Sequence, residues 1–373
     1  MTTLNSVPSA LLTTVDTTGT LNIQTNSVNA LAIDTNQNAT MNYISAQNTF
    51  GFKNRVINGA MSNWQRGTSF SIASGSFVYT TDRWCVISSV TGTSGTVSQS
   101  TSVPTGAGNT FPYSIKVQRN SGVTATGAIN ILQVVESVNM YDLAGQSVTL
   151  SFWIKSGANY TGGLINPIVQ TGTVADQGST NFYSWTGTTY PIAGNNVTPT
   201  TTWTKYSATG TIPSNALELG ITFVPTGFTG TAGADDSYYI TGVQLEKGSI
   251  ATPFDYRDYG RELIMCQRYY ITLGGTNYPT IGTGISVSGT NAGIHVLFPV
   301  TMRAPPTASY TGSLIITDRT GYDVSVSAIT GQSAGLNSSW INFTNASSAT
   351  AGKVAILAVA SSSTGALNLS AEL

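Results

Sequence analysis

The sequence predicts an all-β fold: a thin N-terminal β stalk or attachment arm, a central β-sandwich, a short helical linker and a small C-terminal β-sandwich. Three observations carry that prediction. Thr, Val, Ile and aromatic residues abound and are punctuated by 39 Gly and 13 Pro, the vocabulary of short strands and tight turns. Apolar and polar residues alternate, as in Val148, Leu150, Phe152 and Ile154 against Thr149, Ser151, Trp153 and Lys155. The chain also carries 17 Tyr, 12 Phe and 6 Trp, enough to build cores, although only 8% of its residues are charged. A disordered chain shows the opposite balance, with high net charge and few aromatics.

At 373 residues the chain exceeds a typical domain of roughly 100–200 residues, so several units are expected. Residues 1–53 form the first. They hold few large apolar side chains, and the pattern L-x-I-x-T-N at Leu21–Asn26 returns at Leu31–Asn36, a signature of a small β hairpin or meander. So thin a segment buries too little surface to offset backbone ordering at roughly 1–2 kcal/mol per residue, so partner chains are expected to supply its core. Residues 54–254 follow as the central sandwich. Ile115–Gln118 and Tyr238–Leu245 alternate like the strand at Val148–Lys155, and Thr226–Ala234 reads as a turn-rich spacer.

Residues 255–272 break the style. Asp258 can cap a helix, and Leu263, Ile264, Met265 and Tyr269 cluster within two turns, so a helical linker is expected. Residues 273–373 return to strands at His295–Met302, Ser313–Thr317, Ile341–Phe343 and Lys353–Ala360.

A net charge of −1 with no basic cluster argues against nucleic acid and anionic membranes as partners. The longest apolar run, Val354–Ala360, is far shorter than the ~20 residues of a membrane-spanning helix. Met1–Asp16 has neither the basic residues nor the apolar stretch of a secretory signal, so assembly inside the producing cell is expected. Cys85 and Cys266 lie too far apart to outline a disulfide framework or a metal site, and both are read as buried free thiols.

Ordered pieces of the chain carry a resemblance. Asn54–Gly59 with Trp64, Thr149–Lys155, Thr202–Tyr206 and Tyr239–Gly248 together are similar to the jelly-roll carbohydrate-binding modules of polysaccharide-active enzymes and phage fibre proteins. Thr252–Arg257 and Cys266–Tyr270 resemble a junction common in phage fibre and virion proteins. Phe298–Pro306 and Ala371–Leu373 resemble the terminal domain of such fibres, and Leu31–Met41 their attachment stub. The resemblance implies a trimeric tail fibre on the virion exterior, assembled in the host cytoplasm. It would dock on other virion proteins through residues 1–53 and bind host-surface polysaccharide. The alternative is a capsid-decorating head fibre with a mainly structural role. Many related modules carry, where this chain has Gly242, an acidic residue that often helps hold a structural calcium, so the resemblance implies that ion only weakly; Asp235 and Asp236 are the candidates for a calcium or sugar-hydroxyl contact, and calcium is the sole cofactor considered.

Chemistry for catalysis is thin, and no enzymatic activity is expected. The single histidine, His295, sits in an alternating strand, and no second one exists to build a metal centre. Gly331-Gln332-Ser333-Ala334-Gly335 matches the nucleophile-elbow pattern, but no Asp or His follows it and its surroundings read as loop and strand. Asp235 and Asp236 are adjacent, so on a strand their carboxylates diverge instead of pairing as in a glycosidase.

Sugars present flat C–H faces and many hydroxyls, which exposed aromatics flanked by Asn, Asp and Gln can match. Asp176, Gln177, Asn181, Tyr183, Trp185, Tyr190 and Asn195 offer that mixture in one polar stretch and are the candidate carbohydrate-binding residues. Trp64, Trp84, Trp153 and Trp203 fall within strand patterns and are assigned to packing.

Overall fold

The computed structural model describes residues 53–88, 93–106, 110–276, 278–320, 323–345 and 350–373, together with the backbone of three strands nearer the N-terminus. Residues 1–52 and 53–373 are separate compact units. In the first, β1 (Leu21–Thr25), β2 (Val28–Ile33) and β3 (Ala39–Met41) pair as an antiparallel meander, with Leu21 opposite Ile33 and Leu31 opposite Met41. The repeated pattern thus begins on neighbouring strands.

The larger unit begins with strands β4 (Ser69–Ile72), β5 (Phe77–Tyr79), β6 (Cys85–Ser88), β7 (Gly95–Ser100), β8 (Ser114–Arg119) and β9 (Ile129–Val135). They are followed by β10 (Ser147–Ser156), β11 (Ile165–Gly172), β12 (Thr189–Ile192), β13 (Thr204–Thr211), β14 (Glu218–Pro225) and β15 (Ser237–Lys247). One sheet runs β13-β10-β15-β8-β7-β4 and the other β12-β11-β14-β9-β6-β5, both antiparallel. Alternation explains why they stack. Val148, Leu150, Phe152 and Ile154 of β10 turn inward against Leu219, Ile221 and Phe223 of β14, and all are fully buried. The Phe152 and Phe223 rings meet edge to face at 4.8 Å.

The opposite face of β10 is less open than its alternation implies. Thr149 and Ser151 are only 1–2% exposed, because the chain after β15 folds back over them. Thr149 Oγ1 donates to the Gly248 carbonyl at 2.8 Å, and Glu246 holds the Thr252 amide at 2.8 Å. Trp84 is wholly buried and Trp64 packs at the core's edge, whereas Trp153 and Trp203 are half-buried on the outside.

Helix α1 (Tyr259–Gln267) starts at Asp258, whose Oδ1 accepts the Arg261 amide at 2.9 Å, the capping bond its position in sequence called for. Beyond it lie β16 (Tyr270–Thr276), β17 (Thr280–Ser288), β18 (Asn291–Leu297), β19 (Thr307–Gly312), β20 (Leu314–Thr317), β21 (Asp323–Ala334), β22 (Ser338–Asn345), β23 (Val354–Val359) and β24 (Thr364–Ser370). Where the sequence suggested a small sandwich, six of these strands close into a barrel in the order β17-β18-β22-β21-β20-β23, and β16-β24-β19 form a separate sheet. Closure demands tight curvature at β17, which pairs with both β18 and β23. Gly284 permits it, since a β-carbon there would run into the Gly293 carbonyl. Gly331–Ala334 lies inside β21, with strand β22 next, so Ser333 sits mid-sheet and not on a strand-to-helix elbow. Cys85 and Cys266 are buried free thiols.

Candidate functional site

The candidate residues gather around the outer face of the second sheet, opposite the sandwich core. Alternation fixes which side chains point there. Register places Ile168 beside Thr222, Thr222 beside Leu132, Leu132 beside Cys85 and Cys85 beside Tyr79 in one row across the strands. A neighbouring row holds Asn166 beside Val224, and Asn130 beside Ile87 beside Phe77.

The first row is half covered by the protein itself. A 3-10 segment, Ser179–Ser184, kinked at Asn181, follows β11 and folds Phe182 and Trp185 down onto Leu132, Val134 and Cys85. Gly220 in β14 makes room, because a β-carbon there would run into the Phe182 ring. Phe182 and Trp185 lie 4.9 Å apart and are 1% and 4% exposed. The Trp185 indole N–H donates to the Gly178 carbonyl at 3.0 Å. Trp185 is therefore a packing residue and not a binding platform: the polar look of its neighbours hid the fact that Phe182 and Trp185 turn inward together.

The end of the chain closes the other flank. The Leu373 carbonyl accepts from the Tyr79 hydroxyl at 2.7 Å and from the Ser179 amide at 3.0 Å. Glu372 pairs with Arg83, and with Arg66 at 2.8 Å. The Arg83 guanidinium in turn lies 3.5 Å from the centre of the Tyr269 ring. Arg268 and the Tyr269 hydroxyl both bind Glu136 at the end of β9, at 2.6 and 2.7 Å.

Two of the aromatic candidates remain open to solvent. Tyr183 is 44% exposed, and its hydroxyl accepts from Asn130 Nδ2 at 3.0 Å and lies 3.4 Å from Thr222 Oγ1, which anchors the ring upon the sheet. Partial burial raises its phenol above the usual range, and the nearby Tyr190 adds to the rise. Tyr190, on β12, is 49% exposed. Asn195 is exposed in the loop after β12, next to Gly194, whose amide donates to Asn166 Oδ1 at 3.0 Å. Asn181 is exposed at the turn itself.

Asp176 and Gln177 brace the loop from behind. Asp176 adopts φ 54°; its amide donates to Ser137 Oγ at 2.7 Å, and its Oδ1 accepts the Ser137 amide at 3.3 Å. Gln177 Oε1 accepts the Thr186 amide at 2.7 Å, and its own amide donates to Glu218 Oε2 at 2.9 Å. Ser137 Oγ donates to the same oxygen at 2.8 Å. Glu218 is wholly buried, and burial pushes its carboxyl up to about 8 despite those two donors.

Protein cations, hydroxyls and amides already engage the oxygens of Asp235 and Asp236, the two calcium candidates. Asp236 is wholly buried, with Arg119 Nε at 2.8 Å, the Thr161 amide at 2.7 Å and Thr161 Oγ1 at 2.8 Å. Asp235 binds Lys116 at 2.9 Å and the Ala158 amide at 3.0 Å. Burial alone would raise Asp235, but the bond to Lys116, with those to Ser237 and Ala158, draws it down to about 2. Among the described residues no three His, Cys, Asp or Glu side chains gather as metal ligands. Gly242 has a structural reason of its own: it takes φ 61° in a bulge of β15 opposite β10, and a β-carbon there would lie 2.6 Å from the Phe111 ring. A side chain in that position would be strained as well as crowded.

The reading of the sequence missed Asn130, Asn166, Val224, Ile87 and Phe77. All five sit half-buried on the open row beside Tyr183. A signal was present, since Ile129-Asn130-Ile131 alternates and thereby aims Asn130 away from the core. The assembled face is neutral, with hydroxyl and amide groups around two exposed rings. Six strands at ~4.8 Å spacing give it a width of roughly 24 Å.

No protein-family model matches the sequence, and no curated protein matches it either. Among solved structures, the chain is similar to the enzymatically active domain of tailspike protein 4 of bacteriophage CBA120, at 16% identity and a TM-score of 0.29, over 52% of this chain and 21% of that one. It thus spans about a fifth of that tailspike's length. It is also similar to a CBM4 module, at 17% identity and a TM-score of 0.28 over 51% of this chain and 98% of that one. The CBM22-1 xylan-binding domain of Paenibacillus barcinonensis Xyn10C gives 11% identity and a TM-score of 0.27, over 49% of this chain and 95% of that one.

Proposed function

We propose that this chain is a non-enzymatic structural protein of a bacteriophage particle, a homotrimeric tail fibre on the virion exterior that holds host-surface glycan against the outer face of its jelly roll. The observation that carries the reading is the pair of exposed tyrosines, Tyr183 and Tyr190, set along a neutral sheet face bearing the half-buried amides of Asn130 and Asn166. Rings and amides of that kind suit the C–H faces and hydroxyls of a neutral sugar. The virion role is supported by the fibre-like segments Thr252–Arg257, Cys266–Tyr270 and Phe298–Pro306. In this reading residues 1–53 dock on other virion proteins and assembly takes place in the host cytoplasm. Three copies per fibre and several fibres per particle would raise a weak single-site affinity by about 100- to 10,000-fold when geometry permits.

The test compares the full chain with a Tyr183→Ala/Tyr190→Ala variant on an array of bacterial surface polysaccharides. Binding that drops by about tenfold or more in the variant supports the reading. Undiminished binding would move the site elsewhere. Antibody labelling of intact particles addresses the virion role: signal at the tail supports it, signal confined to the capsid replaces it with a head fibre, and none on the particle refutes it.

A further inference from the structure

An exposed tryptophan lies on the C-terminal barrel, remote in sequence from the tyrosines of the sandwich. Trp340 projects outward from β22 and is 37% exposed. Its indole lies across Gly293 of β18, and a β-carbon at Gly293 would run into the ring. Gly293 is flanked in register by Ile285 of β17 and Asn342 of β22, so the ring rests in the slot between them. The indole N–H donates to Asn342 Oδ1 at 3.1 Å. Ring position is therefore set before any ligand arrives, by the Gly293 slot and the bond to Asn342, while more than a third of the residue stays open to solvent.

The surroundings define what such a ring can hold. Cross-strand register places Thr283, His295, Trp340 and Ser333 in one row over four adjacent strands. The next row runs Val354, Ile285, Gly293, Asn342 and Gly331. Thr283, His295 and Ser333 are exposed, and neither row contains a carboxylate, a lysine or an arginine. Phosphate or acidic ligands find no counter-charge here. A neutral polyhydroxylated ring finds a stacking plane with hydroxyl, imidazole and amide groups beside it, and apolar Ile285, 47% exposed, for a C–H edge.

We infer that the outer face of the barrel around Trp340 is a second carbohydrate-binding site, one that stacks a neutral sugar ring on the preset indole. It does not depend on the jelly-roll face. A fibre with two such faces could engage one glycan chain at separate points, which lowers the affinity needed at each.

The experiment titrates the full chain with cellohexaose, xylohexaose, mannohexaose and chitohexaose, following heat of binding. It uses the Tyr183→Ala/Tyr190→Ala background so that loss of the jelly-roll face is scored separately. Binding of at least one of the four, weakened about tenfold by Trp340→Ala, is expected, the usual effect of truncating a central aromatic anchor. Gly293→Ala lifts the indole without removing it and is expected to weaken the same binding, whereas Trp340→Tyr keeps a ring and most of the affinity. These two variants decide the matter if Trp340→Ala misfolds by circular dichroism. No heat with any of the four sugars, or equal binding by all variants, overturns the inference. So does a fall in subunit number on sedimentation of Trp340→Ala, which would make the face a contact between chains.

Discussion

Glu218 gives the sharpest test of how the loop after β11 is held. Its carboxyl is wholly buried at the start of β14, Oε2 accepts from Ser137 and Gln177, and Oε1 has no hydrogen-bond partner. Burial moves it from an ordinary 4.5 to about 8 in the folded protein, so the folded state keeps a proton that the unfolded chain releases. Below the unfolded value both states are protonated and nothing is lost. As pH rises between the two values the unfolded state is progressively favoured, by about 1.4 kcal/mol per unit, and above about 8 the penalty levels off. At pH 7 that amounts to roughly 3 kcal/mol. Glu218→Gln keeps the shape and the accepting oxygen but cannot ionise. Its extra amide protons add an offset that does not change with pH, so the slope, not the absolute difference, is the observable. Urea unfolding of both proteins at matched pH from 5 to 8 should show the variant gaining on the parent throughout that range. A stability difference that is flat within about 0.5 kcal/mol would show that Glu218 is already ionised in the fold and that the loop is held in some other way.

Other perturbations follow from single contacts. Gly220→Val drives a side chain into Phe182 and Trp185 and should cost about 1–3 kcal/mol, visible as a lower melting temperature by calorimetry; an unchanged melt would mean the turn does not lie on the sheet. Arg119→Ala strands Asp236 and frees the carbonyls of Ala125, Thr229 and Gly230, so a loss of about 3–5 kcal/mol in urea is expected, and a loss under about 1 kcal/mol would contradict the buried pair. Because Asp235 and Asp236 are already engaged, millimolar calcium should leave the melting temperature where chelator leaves it, and a rise would reinstate a metal site there. Asp258→Ala removes the cap of α1 and should cost about 1 kcal/mol, measured by the same unfolding curves.

Much of the architecture was readable because it rests on local rules. The alternation of Val148–Lys155 gave a strand with the right inward face, and Asp258 gave the helix start. What could not be read depends on distant partners. Whether Thr149 and Ser151 meet water depends on the chain about 100 residues later folding over them. Closure of the barrel depends on β17 finding β23, a pairing between Thr280 and Ala358 at its ends that no local pattern announces. Within the candidate site, composition marked a polar stretch but could not tell which of its aromatics face solvent. Tyr183 and Trp185 are two residues apart, yet one faces solvent and the other is sealed against Gly220. Trp340 went unread for a similar reason, since its exposure depends on which strand lies beside it and on that strand offering glycine.

The placement of charge explains how so neutral a surface coexists with a defined arrangement of parts. Arg119 and Asp236 are both fully shielded, Arg83 and Glu372 are 2% and 5% exposed, and Arg257 and Glu262 are 5% and 10% exposed. These pairs lie at seams: a loop end of the sandwich, the chain end against β5, and α1 against the segment before Trp64. Buried pairs of this kind add little net stability over apolar packing, because desolvation offsets their attraction. Misplacing one, however, leaves a bare charge in a poor solvent at a cost of several kcal/mol. They therefore discriminate between arrangements more than they bind them together. Glu372 can satisfy Arg66 and Arg83 only when Leu373 lies along Tyr79, and that same position closes the flank of the sheet beside which Tyr183 stands. With several of its few charges paired inward, the protein leaves hydroxyls, amides and a few fixed rings on the faces around Tyr183 and Trp340, where contacts depend on shape and hydrogen bonding and are therefore less sensitive to salt than charged ones.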